Sequence, residues 1–270
     1  MTRAHSPQSR IHIGIGGWTY EPWRGTFYPK GLPHARELEH ASRHVTAIEI
    51  NGTYYRLQSR ASFEKWAAAV PPGFMFSVKA SRYCTNRRVL AEAGDAIETF
   101  LGQGVTALGR ALGPILWQFM PTKQFDAEDF GAFLGLLPPE RDGLRLRHAV
   151  EVRHESFRDP RFIDLARKHG AAIVFADSPD YPAIADLTAD FVYARLQDAR
   201  EDELEGYAPA ALDCWVDVAR NWAEGAAPEG LDYVGACGAK AAGREVFLFM
   251  INGAKVRAPA AAQALIARLG

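Results

Sequence analysis

The chain reads as an α/β protein of the (β/α)8 barrel type, and three observations carry that reading. Its 270 residues suit a closed barrel, which usually needs about 250 residues. Apolar runs of strand length alternate with segments of helical period from one end to the other, in eight units. The first strand is not followed by the G-x-G-x-x-G turn that an open dinucleotide-binding sheet would want, because Gly14-Ile15-Gly16-Gly17-Trp18 puts Trp18 and Tyr20 where a helix should open.

The units follow in order. Strand 11–16 leads through an aromatic loop to a helix over 34–44. Strand 45–50 precedes a helix with Phe63, Trp66 and Val70 on one face. Strand 74–79 precedes a long helix through Ile97, Leu101, Val105, Leu108 and Leu112, at steps of three and four. Strand 114–119 is followed by a helix marked by Phe130, Phe133, Leu134 and Leu137 and stopped by Pro138-Pro139. Strand 148–153 leads to a helix over Phe162, Leu165 and Ala166. After strand 172–177 the helical signal is weak, broken by Pro179 and Pro182, so the barrel is expected to be irregular there. Strand 190–196 leads to a helix over Leu212, Trp215, Val216, Ala219 and Trp222. An Ala- and Gly-rich connection, 225–243, reaches strand 245–251 and a closing helix over Ala261, Leu265 and Leu269. Residues 1–10 read as a polar, frayed tail, and 11–270 as one domain.

Composition narrows the function classes. A hydrophobic content of 48% with 23% charged residues is that of a soluble globular protein with ample core. A formal net charge of −1 gives no global field towards nucleic acid or anionic lipid, so any anion binding must be local. Cys84, Cys214 and Cys237 are too scattered for a disulfide framework or a zinc spacing. They read as reduced thiols, buried or inert, in a cytoplasmic protein. No run approaches transmembrane length, and no membrane partner is expected. Oligomeric state has no signature here.

Side chains alternate faces along a strand, so the charged residues can be assigned to faces. Glu49, Lys79, Glu151, Arg153 and Arg195 each follow directly on apolar strand residues, and Asp177 ends the sixth strand. An unpaired buried charge costs several kcal/mol, so strands carry such groups when they are paired or functional. Charged groups at the carboxyl ends of barrel strands form active sites in this architecture. The bland alternative is a salt-bridge plug filling the barrel centre, and it accounts for one or two of the six. Asn51, Tyr54, Gln118, Tyr193 and Asn252 occupy neighbouring strand-end positions and complete a substrate-binding set with Trp18 and Tyr20.

The loops at this end interleave aromatics with arginines: Trp18 to Arg24, Tyr54-Tyr55-Arg56, and Arg82-Tyr83 with Arg87-Arg88. Aromatic faces beside guanidinium groups suit a sugar ring, a nucleobase or a phosphate ester. For Trp23 and Phe27 a covering role over the barrel top is expected instead. After the last strand, Asn252-Gly253 precedes Lys255, Arg257 and Pro259 at a helix start, an arrangement suited to an anion. Glu49, Glu151 and Asp177 together could hold Mg2+ or Mn2+, which prefer oxygen ligands. No other cofactor is indicated. Of eight histidines, His12, His148 and His154 lie near strands, and His34, His40 and His44 fall on an exposed helix face. No Ser-His-Asp order, nucleophile elbow or H-E-x-x-H is present.

Several of these motifs, taken in order, resemble the YecE-like family, a domain of unknown function numbered 72. They are Gly16-Gly17-Trp18-Thr19-Tyr20 with Trp23, Gly25 and Phe27-Tyr28-Pro29; Glu49-Ile50-Asn51-Gly52-Thr53-Tyr54-Tyr55; Phe76-Ser77-Val78-Lys79; Gln118 before Pro121; Val150-Glu151-Val152-Arg153; and Tyr193-Ala194-Arg195-Leu196. The resemblance spans about 11–269 and implies a TIM-type barrel with the same mouth residues; it implies no reaction. Three positions depart from the family pattern. Thr85-Asn86 stands where the family shows Thr-His, Leu196-Gln197-Asp198 where His-Gly follows the arginine, and Ile251 where the first of two asparagines stands.

The leading expectation is a hydrolase, lyase or isomerase acting on a small anion such as a sugar phosphate or nucleotide-like ester. Arg153, Arg195 and Lys79 would hold the anion, and Glu151 or Glu49 would act as base with Asp177 or the other glutamate as acid. A metal-dependent phosphodiesterase acting on nucleic acid is the second reading, favoured by the basic third loop and opposed by the near-neutral charge and the acidic run Asp198 to Glu205. A non-catalytic barrel that binds a metabolite is the third.

Overall fold

A computed structural model of the chain describes residues 10–235 and 243–270. Eight parallel strands close into one barrel: β1 (Ile11–Gly16), β2 (Ala47–Ile50), β3 (Met75–Lys79), β4 (Leu112–Gln118), β5 (His148–Glu151), β6 (Ala172–Asp177), β7 (Phe191–Leu196) and β8 (Glu245–Met250). Neighbours pair in sequence order, and β1 closes the ring on β8 with Ile11 opposite Val246. Around them lie α1 (Glu37–Ala41), α2 (Arg60–Ala69), α3 (Arg82–Thr85), α4 (Gly94–Gly102), α5 (Ala127–Gly135), α6 (Pro160–Lys168), α7 (Pro209–Ala223) and α8 (Ala258–Leu269). No helix among the described residues is long and apolar enough to cross a membrane.

Alternation along each strand divides the core in two. One face, with Ile48, Ile50, Phe76, Val78, Trp117 and Val150, packs outward against the helices. The other, with Ala47, Leu116, Ala149, Val174, Tyr193, Phe247 and Phe249, fills the barrel interior. Gly14 is required there, because a Cβ on it would sit 2.5 Å from the Ala47 carbonyl and 2.7 Å from the Phe249 ring. At the amino-terminal end of the barrel, His12 Nε2 lies 2.7 Å from Glu245 Oε1, and Arg147 pairs with the other oxygen of Glu245. His12 stacks on Phe247. This cluster closes the bottom of the barrel.

Several elements differ from the sequence expectation. The long helix expected after β3 is α4 followed by a separate 3₁₀ stretch, Val105–Ala111. Gly104 breaks it with φ of 104°, a conformation that a side chain would strain. The helix expected over 34–44 is a 3₁₀ turn leading into the short α1. No helix separates Asp177 from Phe191; Pro179 and Pro182 lie in irregular chain. A small antiparallel hairpin, Glu140–Arg141 with Leu144–Arg145, precedes β5. Its turn, Asp142-Gly143, has positive φ at both residues, as a two-residue hairpin requires. Cys84 is buried and Cys214 exposed; Cys237, the tail 1–9 and part of the connection 225–243 lie outside the described residues.

Candidate active site

At the carboxyl ends of the strands, inward-facing side chains from β2, β4, β5 and β7 lock into a buried ion network. Arg195 is its centre. Its NH1 donates to Glu151 Oε2 at 2.6 Å, its NH2 to Glu49 Oε1 at 3.0 Å and its Nε to Glu49 Oε2 at 3.1 Å. Tyr193 Oη donates to Glu49 Oε2 at 2.7 Å and lies 2.7 Å from Ser77 Oγ. Arg153 donates from Nε to Glu151 Oε1 at 2.8 Å, and Gln118 Nε2 donates to Glu151 Oε2 at 2.8 Å.

Glu49 and Glu151 are both 0% exposed, and every carboxylate oxygen accepts at least one charged or phenolic donor. Burial would raise the Glu151 carboxyl, but the guanidinium groups of Arg195 and Arg153 reverse this and hold it at about 2. A carboxylate so acidic and so enclosed is a poor base. Burial would lower Arg195, and the charges of Glu151 and Glu49 instead raise it, so it stays cationic. The network is a floor, and the salt-bridge plug weighed from the sequence describes Glu49, Glu151 and much of Arg195. Tyr193, expected to touch substrate, lies wholly buried within it. Its phenol is raised well above the ordinary value by burial and by Glu49.

Above this floor opens a cavity of about 730 Å³. Lys79, Gln118, Arg153 and Arg195 form its base; Trp18, Trp66 and Asn51 form one wall; Asn252, Lys255 and Ala258 form another. Lys79 Nζ donates to Gln118 Oε1 at 2.7 Å and lies 4.4 Å from the centre of the Tyr54 ring. Among the described residues no carboxylate lies within ion-pair distance of it. Burial, then the charge of Arg195, pulls its ammonium down to about 8, against smaller opposing effects of Glu49 and Glu151. Burial also lowers Lys255, whose Nζ sits 4.6 Å from the Tyr20 ring.

Most of the expected site residues meet here, in two tiers. Lys79, Arg153, Arg195, Gln118, Asn51, Asn252 and Trp18 line the cavity, while Glu49, Glu151 and Tyr193 lie beneath it. Tyr54 and Tyr20 do not line the cavity themselves but pack against residues that do, Tyr54 against Lys79 and Tyr55, and Tyr20 against Lys255 and Trp23. Asp177 is not brought in. Ala172 and Val174 point into the barrel, so Asp177 shares the outer face with Ile173 and Phe175. There, burial and the charge of Asp198 raise it to about 6. The carboxylates suggested for Mg2+ or Mn2+ are therefore not gathered: two are held by arginines, and the third is on the far side of its strand.

Loop residues supply what strand parity could not show. Tyr181, after β6, stacks on Arg153 at 4.2 Å, with Arg153 NH1 3.3 Å from its hydroxyl. Arg56, Gln58 and Tyr55 extend the rim after β2. His34, expected on a solvent face, also reaches the rim, with Nδ1 2.7 Å from Glu37 Oε2. Trp23 is buried, borders the cavity and donates its indole N–H to the Lys255 carbonyl at 3.0 Å, tying the first loop to the last. His148 is an outward core residue between Trp117 and the Pro138 carbonyl, kept neutral by a value lowered through burial to about 4. At the three departures from the family pattern, Asn86 donates to Tyr54 Oη at 3.2 Å and Asn252 donates to Gln197 Oε1 at 3.0 Å. Ile251 lines the cavity beside Gly16, where a Cβ would meet it at 2.8 Å.

The molecule is thus a TIM-type barrel whose mouth carries a cation-lined cavity over a buried ion network. The model of a family described as "Protein of unknown function DUF72" matches residues 12–270, and the chain belongs to that family. It is 25% identical over 159 residues to the UPF0759 protein YunF of Bacillus subtilis (strain 168). That match covers 57% of this chain and about half, 54%, of the relative. Among solved structures, a DUF72 family protein from Thermotoga maritima MSB8 superposes with a TM-score of 0.68 at 20% identity, covering 96% of this chain and 98% of that one. Another, from Enterococcus faecalis V583, gives 0.65 at 14% identity over 96% and 94% of the two chains. At these identities the likeness shows the shared fold.

Proposed function

We propose that the cavity is the active site of an enzyme acting on a small organic anion, as a hydrolase, lyase or isomerase, with Lys79 as its proton-transfer group. One observation carries the reading: the cations face the cavity and the carboxylates do not. Lys79, Arg153 and Arg195 line its base and Lys255 its wall, while Glu49 and Glu151 lie beneath them with their oxygens engaged. Fixed donors in a partly dry site stabilise negative charge far better than donors in water. The base role expected for the glutamates passes to Lys79, whose value near 8 suits proton transfer close to neutrality. Trp18 and Trp66, edge to face at 5.3 Å, offer the apolar wall that a sugar or other small carbon skeleton would use.

The reading is tested by thermal unfolding in orthophosphate and in pyruvate, because a ligand that binds only the folded state raises apparent stability by mass action. A saturable rise in Tm, weakened in Lys255→Ala and Arg153→Ala, is expected. No rise with either anion would overturn it.

A second reading, an enzyme acting on nucleic acid, is favoured by the exposed Tyr55 and Tyr83 beside Arg56 and Arg82 in the segments after β2 and β3. Oligonucleotide binding that falls steeply with salt would support it, and a flat profile would remove it.

A further inference from the structure

We propose that Lys79 is a covalent nucleophile, forming an imine with an aldehyde or ketone that carries a carboxylate or phosphate group. The inference rests on the anion-cavity reading, adds to it the substrate's second functional group, and puts a covalent role for Lys79 in place of proton transfer.

The geometry separates Lys79 from the two arginines at the base of the cavity. Arg195 and Arg153 are tied by ion pairs to the two buried glutamates. Lys79 Nζ instead finds the neutral amide oxygen of Gln118 at 2.7 Å. The same amide turns its NH2 to Glu151 at 2.8 Å, and this fixes its orientation, since a carboxylate can only accept. Gln118 therefore stands between the lysine and the carboxylate that would otherwise hold it as an ammonium. The Lys79 side chain is 9% exposed, and what exposure it has is to the cavity. Tyr54 covers it from one side, and the arginines add like charge from another. Desolvation together with neighbouring cations is the environment in which a lysine amine is freed to attack a carbonyl. Lys255, the other lysine on the wall, lies at the rim beside Tyr20 and Trp23.

The step balances without redox chemistry. The Nζ lone pair attacks the carbonyl carbon, a C–N bond forms, and the carbonyl π pair moves to oxygen. A proton passes from nitrogen to that oxygen, giving a carbinolamine. The oxygen takes a second proton and leaves as water, and a protonated imine remains. Counted from the ammonium form of the lysine, the exchange releases one water and no net proton. The substrate's anionic group would lie against Arg153, Arg195 or Lys255, and the iminium would draw electrons from the adjacent carbon, as a lyase or isomerase of carbonyl compounds requires.

The test is reductive trapping on the full chain. The protein is incubated with sodium cyanoborohydride and either pyruvate, as the carboxylate probe, or dihydroxyacetone phosphate, as the phosphate probe. Adducts are located by peptide mass mapping, with Tm measured for each probe in parallel. The expected result is one adduct per chain, on the peptide containing Lys79, formed at least tenfold faster than on Lys30, Lys65 or Lys255. The probe that reacts faster identifies the anionic group. Lys79→Met should lose this adduct while keeping a cooperative melt; the wild-type map needs no variant and stands if that protein fails to fold. Adducts spread over the exposed lysines would overturn the inference, as would none at Lys79. If a probe raises Tm without trapping at Lys79, the imine fails and the anion cavity stands; if neither probe raises Tm nor traps, both fail.

Discussion

Arg195 and Glu151 meet at 2.6 Å in the middle of the barrel mouth, both buried, with Arg195 also forming part of the cavity base. The contact joins β5 to β7 across β6, and through its other nitrogens Arg195 reaches Glu49 on β2. One guanidinium thus ties three strands. Removing one partner of such a pair leaves the others charged, buried and unpaired, which costs about 3–5 kcal/mol. Glu151→Gln should therefore lower the urea midpoint by about that energy, with an unchanged slope. A midpoint within error of wild type would show that the network is not holding the strands.

Acid should undo the same contact. The Glu151 carboxyl sits at about 2 in the folded protein against an ordinary 4.5. A carboxyl lowered on folding contributes stability that is complete above its unfolded value and lost as pH falls towards the folded one. Wild type should lose stability from about pH 4.5 downward, and Glu151→Gln should lose less over that range. Parallel stability curves for the two proteins would contradict this.

Strand alternation made much of this site legible before any coordinates. Glu49, Lys79, Gln118, Glu151, Arg153 and Arg195 all lie on the inner face that parity assigns, because a two-residue repeat leaves a side chain few choices. Parity counted from Ala172 also puts Asp177 outside; only its place at a strand end groups it with the ring. Which of the inner residues meets the cavity was not legible. That depends on side-chain length and pairing across the barrel, where Arg195 draws both glutamates down and leaves Lys79 above them. Tyr181, Arg56, Lys255 and His34 come from loops, whose sequence has no period from which direction could be read.

Lys79 should make the folded protein more stable as pH rises above neutrality. Its ammonium sits at about 8 folded, against 10.5 ordinarily. Below pH 8 the folded state carries the unfavourable burial of a charge; between 8 and 10.5 the folded lysine is neutral while the unfolded one still binds its proton. The unfolded state then binds more protons, so stability rises with pH across that window. The shift corresponds to roughly 3 kcal/mol. Lys79→Met, which removes the charge, should be at least as stable as wild type at pH 7, with its advantage shrinking by pH 10. An advantage independent of pH would exclude this account.

Gln118 is a positioning residue for that lysine, since it donates to Glu151 and accepts from Lys79. In Gln118→Met the ammonium loses its one hydrogen-bond acceptor, while Glu151 keeps its contacts from Arg195 and Arg153. A hydrogen bond to a charged group contributes about 1.5–3 kcal/mol, so the midpoint for modifying Lys79 should move to lower pH by about one to two units. Reductive methylation with formaldehyde and cyanoborohydride, read at the Lys79 peptide across pH, measures it. A purely structural role for Gln118 would change the melting temperature and leave the midpoint in place.

Asp177 offers the opposite case, a carboxyl raised by folding. On the outer face of β6, beside Asp198 and the buried Tyr207 ring, it sits at about 6 against an ordinary 3.8. Its charge is therefore a burden in the folded state, absent below about pH 4 and complete above pH 6, of the order of 1–3 kcal/mol. Asp177→Asn should raise Tm at pH 7.5, and the gain should fade as pH falls from about 6 to about 4. Because Asp177 is not among the residues that line the cavity, the substitution should leave anion binding and trapping at Lys79 unchanged. Loss of either in a protein that is more stable than wild type would bring Asp177 back into the site and overturn the assignment of its side chain to the outer face.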